Sequence, residues 1–188
     1  MLNDLDIYNK TLSKNIFKRL KSVINENNFI FGKSVKKLEN KLVKLTKSRY
    51  VITVASGTDA LFLSLLSLNL KKNDEIIIPS FSWLSVLEVV LILGLKPVFV
   101  DTNIDDFNSN IDSIEKKISK KTKAIISTSL FGRSIDLFKL KKICFNKRIT
   151  LIEDAAQNFG SKIRNKDSCT IADLSCTSFF PSKNLGCY

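Results

Sequence analysis

Lys183 sits in an apolar, proline-containing stretch, Ser178-Phe179-Phe180-Pro181-Ser182-Lys183-Asn184-Leu185-Gly186. An amine drawn out of water there would have its pKa lowered and its lone pair freed to attack a carbonyl. Most lysines are solvated charges, and this chain has many. A second chemical group is the carboxylate of Asp154, in Glu153-Asp154-Ala155-Ala156-Gln157. It could cap a helix or hold a cationic ring nitrogen, with the Gln157 amide one turn on to reach a neighbouring hydroxyl. A third is Ser56-Gly57-Thr58. Backbone N–H groups and a helix dipole there suit an anion, and Gly57 would let a phosphate approach the backbone. The same tripeptide also reads as an ordinary N-cap turn. Trp83, the only Trp in the chain, reads either as core packing or as a plate for a stacked flat ring.

Other chemistry is excluded by composition. The 188 residues contain no His, which removes Ser-His-Asp triads, Cys-His pairs, His-ligated metals and imidazole bases. Cys144, Cys169, Cys176 and Cys187 form no C-x-x-C pair, so neither a zinc site nor a secreted disulfide scaffold is expected. They read as reduced thiols of a cytoplasmic protein. Neither G-x-x-x-x-G-K-[ST] nor G-x-G-x-x-G is present. The formal net charge is +12, from 30 Lys+Arg against 18 Asp+Glu. Such a charge argues for association in general, not for a function. The lysines sit singly on helix faces, as at Lys36, Lys37, Lys41, Lys44 and Lys47, and read as a solvated surface rather than a nucleic-acid footprint. The N-terminal residues lack the apolar core of a signal peptide. The longest apolar run, Val86 to Leu95, contains Glu88 and is too short to span a bilayer.

The elements that must position these groups alternate in type. Residues 11–28 predict a helix with Leu12, Ile16, Phe17 and Leu20 on one stripe. Residues 34–47 predict another, with Ser34 as its N-cap. Residues 50–55 are a β-branched run that predicts a short strand, and 59–70 predict a helix apolar nearly all round, hence buried. Strands are then expected at 75–79, 97–101, 124–128, 149–153 and 175–180, with helices at 82–93, 111–119 and 135–146. Continuous apolar strands between helices predict an α/β fold. It has three layers, with a mostly parallel sheet covered by helices on both faces. Ligands of such sheets bind beyond the carboxyl ends of the strands, where Gly57, Trp83, Asp154 and Lys183 all fall.

An anion cup, a stacking ring, a carboxylate, an amide and a reactive amine together answer the needs of pyridoxal 5'-phosphate (PLP). The sequence also resembles a known family. The stretches ASGTDAL, PSFSW, PVFVDT, KTKAIISTSLFG, IEDAAQNFGS and SFFPSKNLG follow, in order, the motifs of the DegT/DnrJ/StrS-type sugar aminotransferases, PLP enzymes of fold type I. FIFGKSVKKLENKL resembles that family's N-terminal segment, so the resemblance runs from about residue 28 onward. It implies that Lys183 carries the cofactor covalently and then shuttles the substrate proton. Asp154 would keep the ring nitrogen protonated and Gln157 would bond the ring hydroxyl. Trp83 would stack on the ring, while Gly57, Thr58 and Ser178 would hold the phosphate. A lysine at position 183, where a dehydratase branch has histidine, implies an aminotransferase.

The implied reaction moves an amino group, from glutamate, to a nucleotide-linked keto sugar, in amino-sugar and polysaccharide biosynthesis. A homodimer is implied for a full-length member, with neither membrane nor nucleic acid as partner. The resemblance divides the chain into an N-terminal helical arm, 1–30, and a PLP-binding large domain, 31–188. The large domain is incomplete, because family members continue to about twice this length through a small C-terminal domain. The alternative expectations are an inactive fragment, or half of a split enzyme, that folds or pairs without turnover, and a basic nucleic-acid-binding module.

Overall fold

The computed structural model describes residues 5–187. The start of the expected arm and Tyr188 lie outside the described residues. Two compact units are formed, Met1–Thr53 and Val54–Tyr188. The first contains α1 (Leu5–Glu26) and α2 (Lys33–Thr46). Ser34 does not cap α2. The helix starts one residue earlier, with Gly32 in extended conformation at the cap position and no side-chain cap. The run 50–55 forms no strand. Its Thr53 is held instead by Glu39, whose Oε1 accepts from the Thr53 N–H and hydroxyl, both at 2.9 Å. A β-branched run needs a neighbouring strand to become one, and here a side chain takes its backbone donor.

The second unit opens with α3 (Gly57–Leu66) and β1 (Glu75–Pro79). There follow α4 (Ser85–Ile92), β2 (Lys96–Val100), α5 (Ile111–Lys117), β3 (Thr122–Thr128), a 3-10 turn at Leu130–Gly132, α6 (Leu137–Lys147) and β4 (Thr150–Asp154). A small hairpin, β5 (Lys162–Ile163) with β6 (Lys166–Asp167), precedes β7 (Leu174–Cys176). Strands β2, β1, β3, β4 and β7 lie side by side in that order, every pair parallel. The hairpin turns through Arg164 and Asn165, both left-handed (φ 49° and 63°), a conformation more natural to Asn than to Arg.

Alternation along the strands builds two cores. Ile76, Ile78, Ala124, Ile126 and Ile152 pack with Leu61 and Leu65 of α3 and Val86, Val89 and Val90 of α4. The residues between them, Ile77, Ile125 and Leu151, pack on the other face with Ile114 of α5 and Leu137, Leu140 and Cys144 of α6. This is the expected three-layer arrangement. Helix α3 departs from expectation in two respects: it spans Gly57–Leu66 rather than 59–70, and while Leu61 and Leu65 are buried, Leu63 and Leu66 are 44% and 51% exposed. Strand β7 is also shorter than read. Beyond Cys176 the chain leaves the ladder, and the Thr177 hydroxyl turns to the Ala155 carbonyl. Ile152, fully buried in the middle of this sheet, gives the first expected result. Ile152→Ala should lower stability by about 2–5 kcal/mol. In urea unfolding followed by circular dichroism the midpoint should fall with an unchanged slope.

Candidate active site

The strand order reverses between β1 and β3: the chain goes from β1 outward to β2, then back across to β3. Such a reversal opens a crevice at the carboxyl ends of the two strands. The loop after β1 carries Ser80–Leu84, and that after β3 carries Ser129–Arg133. The two are tied by the Ser82 and Thr128 hydroxyls at 3.1 Å. Trp83 stands in the first loop, 73% exposed, so it is not a core residue. Phe131 in the second loop is left-handed (φ 55°) and its N–H donates to Oε1 of Gln157 at 3.1 Å. That bond takes the oxygen end of the amide and leaves Nε2 as the end able to donate elsewhere.

Asp154 closes β4 as a buried carboxylate. Its Oδ1 accepts the Ala156 N–H at 3.1 Å, which starts the turn leading to Gln157. Burial pushes its pKa above the ordinary carboxylate range. The Ala156 N–H and the Lys183 ammonium pull it back in part. Lys183 is half-buried, and the turn that carries it is closed by its own N–H on the Phe180 carbonyl at 2.8 Å. The Cys187 N–H to the Phe179 carbonyl at 2.9 Å and Asn184 Nδ2 to the Phe159 carbonyl at 3.1 Å hold the same loop. Gly186 approaches the Pro181 carbonyl so closely that any side chain there would overlap it.

Gly57 opens α3. Its preceding residue, Ser56, accepts the Asp59 N–H at 3.0 Å and donates to Asp59 Oδ2 at 2.9 Å. The cap thus occupies Asp59, while the Gly57 and Thr58 N–H groups have no acceptor within the helix. Gly57 also lies directly against the segment after β7: a Cβ on it would stand 3.2 Å from Ser178 Cβ and 3.6 Å from Ser178 Oγ. The structure therefore brings Gly57 to Ser178 and Gln157 to the β3 loop, with the Lys183 charge near enough to favour the Asp154 anion in part. Trp83 shares their end of the sheet without a direct link to them among the described residues. The half-buried Cys169 and buried Cys176 thiols offer no competing nucleophile. Burial pushes Cys169 up to about 12 and Cys176 up to about 11, so both stay protonated at neutral pH.

Three features of the site are not apparent from sequence. The Ser82–Thr128 link and the Phe131 N–H on Gln157 join residues 46 and 26 positions apart. Glu153, whose own signal is only a carboxylate beside Asp154, is fully buried at 0% exposure.

The comparisons with known proteins give the family and the fold. The chain is 37% identical over 190 residues to the UDP-2-acetamido-2-deoxy-3-oxo-D-glucuronate aminotransferase of Pseudomonas aeruginosa, covering 100% of this chain and 53% of that enzyme. It is 34% identical over 154 residues to GDP-perosamine synthase of Escherichia coli O157:H7, covering 82% and 42% respectively. Among solved structures, a DegT DnrJ EryC1 StrS aminotransferase from Brucella abortus superposes with a TM-score of 0.92 at 31% identity, over 100% of this chain and 52% of that one. The E. coli GDP-4-keto-6-deoxy-D-mannose-3-dehydratase with bound hydrated PLP gives 0.85 at 31% identity, over 90% and 45%. The chain thus spans about half the length of the relatives it matches. The five parallel strands and their two helical layers are those of fold-type-I PLP enzymes. With the family's sequence profile matching residues 10–188, the chain belongs to the DegT/DnrJ/EryC1/StrS aminotransferase family.

Proposed function

We propose that this chain is the PLP-binding part of an aminotransferase that moves an amino group, from glutamate, onto a nucleotide-linked keto sugar. The observation that carries the reading is the carboxylate of Asp154, buried at the carboxyl end of β4 with no Lys or Arg ion-paired to it among the described residues. A buried anion is costly unless a cation is paired to it. A protonated ring nitrogen is such a cation, so the donor set fits PLP. The cradle between Gly57 and Ser178 fits as well, since a side chain at 57 would fill the approach to the helix N-terminus.

Bound there, PLP supplies an electron sink for the carbon that gains or loses the amino group. The chain's own residues do the rest. Gly57, Thr58 and Ser178 would offer N–H and hydroxyl donors to the phosphate. Asp154, its Oδ1 already accepting the Ala156 N–H, would hold the ring-nitrogen proton. Gln157, its oxygen held by the Phe131 N–H, would offer its Nε2 to the ring hydroxyl. Lys183 Nζ would bind the cofactor and carry the proton at the reacting carbon. Trp83 lies on the loop from which an indole could cover the ring face.

Trp83, Phe81, Phe107 and Phe131 are all at least 45% exposed at this end of the sheet. Phe107 lies with its ring centroid 5.5 Å from that of Phe81 and 5.9 Å from that of Phe131. Uncovered aromatics around a cofactor site support a second copy of the chain as the surface that completes it. The same feature supports the second reading, in which this chain takes up PLP but does not turn over alone. Membership of a family of nucleotide-sugar enzymes supports a place in amino-sugar and polysaccharide biosynthesis in the cytoplasm. No helix among the described residues is long and apolar enough to cross a membrane.

The test mixes the purified chain with PLP, reduces it with borohydride and maps the label by mass spectrometry. Label at Lys183 is expected. Label scattered over surface lysines, or none, would remove the cofactor reading. Glutamate-dependent conversion of PLP to its amine form then separates turnover from binding alone. A further expected result concerns the cradle. Gly57→Val should weaken PLP binding about 10- to 100-fold, since overpacking a close contact costs about 1–3 kcal/mol. A fluorescence titration measures this, with circular dichroism checking the fold. An unchanged affinity would place the phosphate elsewhere.

A further inference from the structure

Glu153 and Asp154 are successive residues of β4, so their side chains leave opposite faces of the sheet. Asp154 looks to the proposed cofactor. Glu153 shares the face of Leu151 and Ile125 and is fully buried, with no Lys or Arg paired to it among the described residues. Three donors converge on it instead. Oε2 accepts the Cys169 N–H at 2.9 Å and the Ser175 hydroxyl at 3.2 Å. Oε1 faces Asn158 Nδ2 at 3.5 Å. Burial raises the Glu153 pKa above the ordinary carboxylate range, and these three donors, the Cys169 N–H first, pull it back in part.

Asn158 is itself a buried hub. Its Nδ2 also donates to Ser134 Oγ, and its Oδ1 accepts from the Ser161 hydroxyl at 2.7 Å. Its carbonyl accepts from the Ser168 hydroxyl at 2.9 Å. The network therefore clamps the segment after β4 to the hairpin, to β7 and to the loop after β3. Gln157, the residue before Asn158, is the one whose amide holds the Phe131 N–H.

We propose that Glu153 is a positioning residue: through Asn158 it fixes the segment that aims the Gln157 amide, and through β4 it fixes Asp154. The link to the cofactor ring rests on the function proposed above. The link to Gln157 and Phe131 does not.

The test uses Glu153→Gln, which keeps the shape but presents an N–H2 to one of the three donors. Amide hydrogen exchange, read by mass spectrometry on the full chain without cofactor, should rise about tenfold in segments 129–133 and 155–169. Exchange in β1 and β2 should be unchanged. The double variant Glu153→Gln/Asn158→Asp moves the carboxylate to position 158. There the amide introduced at position 153, the Ser161 hydroxyl and a rotated Ser134 hydroxyl can all donate to it. It should return exchange in both segments to within about threefold of the parent. It also serves as the folded comparison should the single variant not fold. With PLP present, the single variant should bind about tenfold more weakly, and the double variant should recover. Uniform exchange across all strands in the single variant would mean a merely structural residue and overturn the proposal. So would no change at 129–133, or a double variant no closer to the parent than the single one. If the parent chain takes up no PLP, the cofactor reading fails while the exchange results still decide the role of Glu153.

Discussion

Lys183→Ala is expected to abolish the borohydride-stable PLP adduct and to lower any glutamate-dependent turnover by about 10²–10⁴-fold, the range supplied by a positioned acid–base group. The chain has many lysines, so the expectation rests on what separates this one. It is half-buried, and its loop is closed by the Lys183 N–H on Phe180, by Cys187 on Phe179 and by Asn184 on Phe159. It is also the lysine whose charge reaches the buried Asp154. Solvated lysines elsewhere react with an aldehyde reversibly and without preference, because nothing holds the aldehyde against them. Lys183→Arg sharpens the result. A guanidinium keeps a positive charge near Asp154 but offers no nucleophilic amine. If charge alone held the cofactor, the arginine variant would bind PLP like the parent and still yield no adduct. Label that persists undiminished in the alanine variant would show that the site lies elsewhere. The alanine variant removes a part-exposed side chain, so its unfolding midpoint should stay close to that of the parent.

The sheet was legible because its physics is local. Ile76-Ile77-Ile78, Ala124-Ile125-Ile126 and Leu151-Ile152 are apolar without alternation, which only a sheet covered on both faces can bury. The strand-end positions of the candidate residues were legible for the same reason, since the ends of parallel strands lie along one edge of the sheet. Pro79 leads into the Trp83 loop, Asp154 ends β4, and Ser178 follows β7. What failed depended on partners distant in sequence. Residues 50–55 have strand-forming side chains, but Thr53 gives its donor to Glu39. The apolar circumference of α3 suggested full burial, yet Leu63 and Leu66 face outward. The hairpin at 162–167 carries no Asn-Gly or Asp-Gly signal, only Arg164-Asn165. The contact of Gly57 with Ser178 and the clamp on Glu153 join segments that only the folded sheet makes neighbours.

Asp154→Asn should separate stability from chemistry in opposite directions. Asp154 is buried, and its pKa in the folded protein is raised above that of the unfolded chain by desolvation. A raised carboxylate pKa means that the folded state binds the proton more tightly. Stability is therefore favoured at low pH and declines as pH rises from the unfolded pKa through the folded one. Above both, the full penalty of burying an anion is present, offset only in part by Ala156 and Lys183. Asparagine carries no charge and keeps the carbonyl oxygen that accepts the Ala156 N–H. The cofactor-free Asp154→Asn protein should consequently melt at a higher temperature than the parent at neutral pH, with the difference shrinking as pH falls toward the unfolded pKa. With PLP the order inverts. The amide cannot hold the ring-nitrogen proton as a carboxylate does, so turnover should fall about 10²–10⁴-fold and PLP should stabilise the variant less than the parent. Thermal melts at several pH values, with and without PLP, read both stability effects in one experiment. A variant less stable than the parent without cofactor would mean that Lys183 and Ala156 already compensate the buried charge. Equal stabilisation of both proteins by PLP would mean that the ring nitrogen does not meet Asp154. An acid only partly compensated at the end of β4 would then be what a site for a cation requires, with the ring nitrogen supplying the missing compensation.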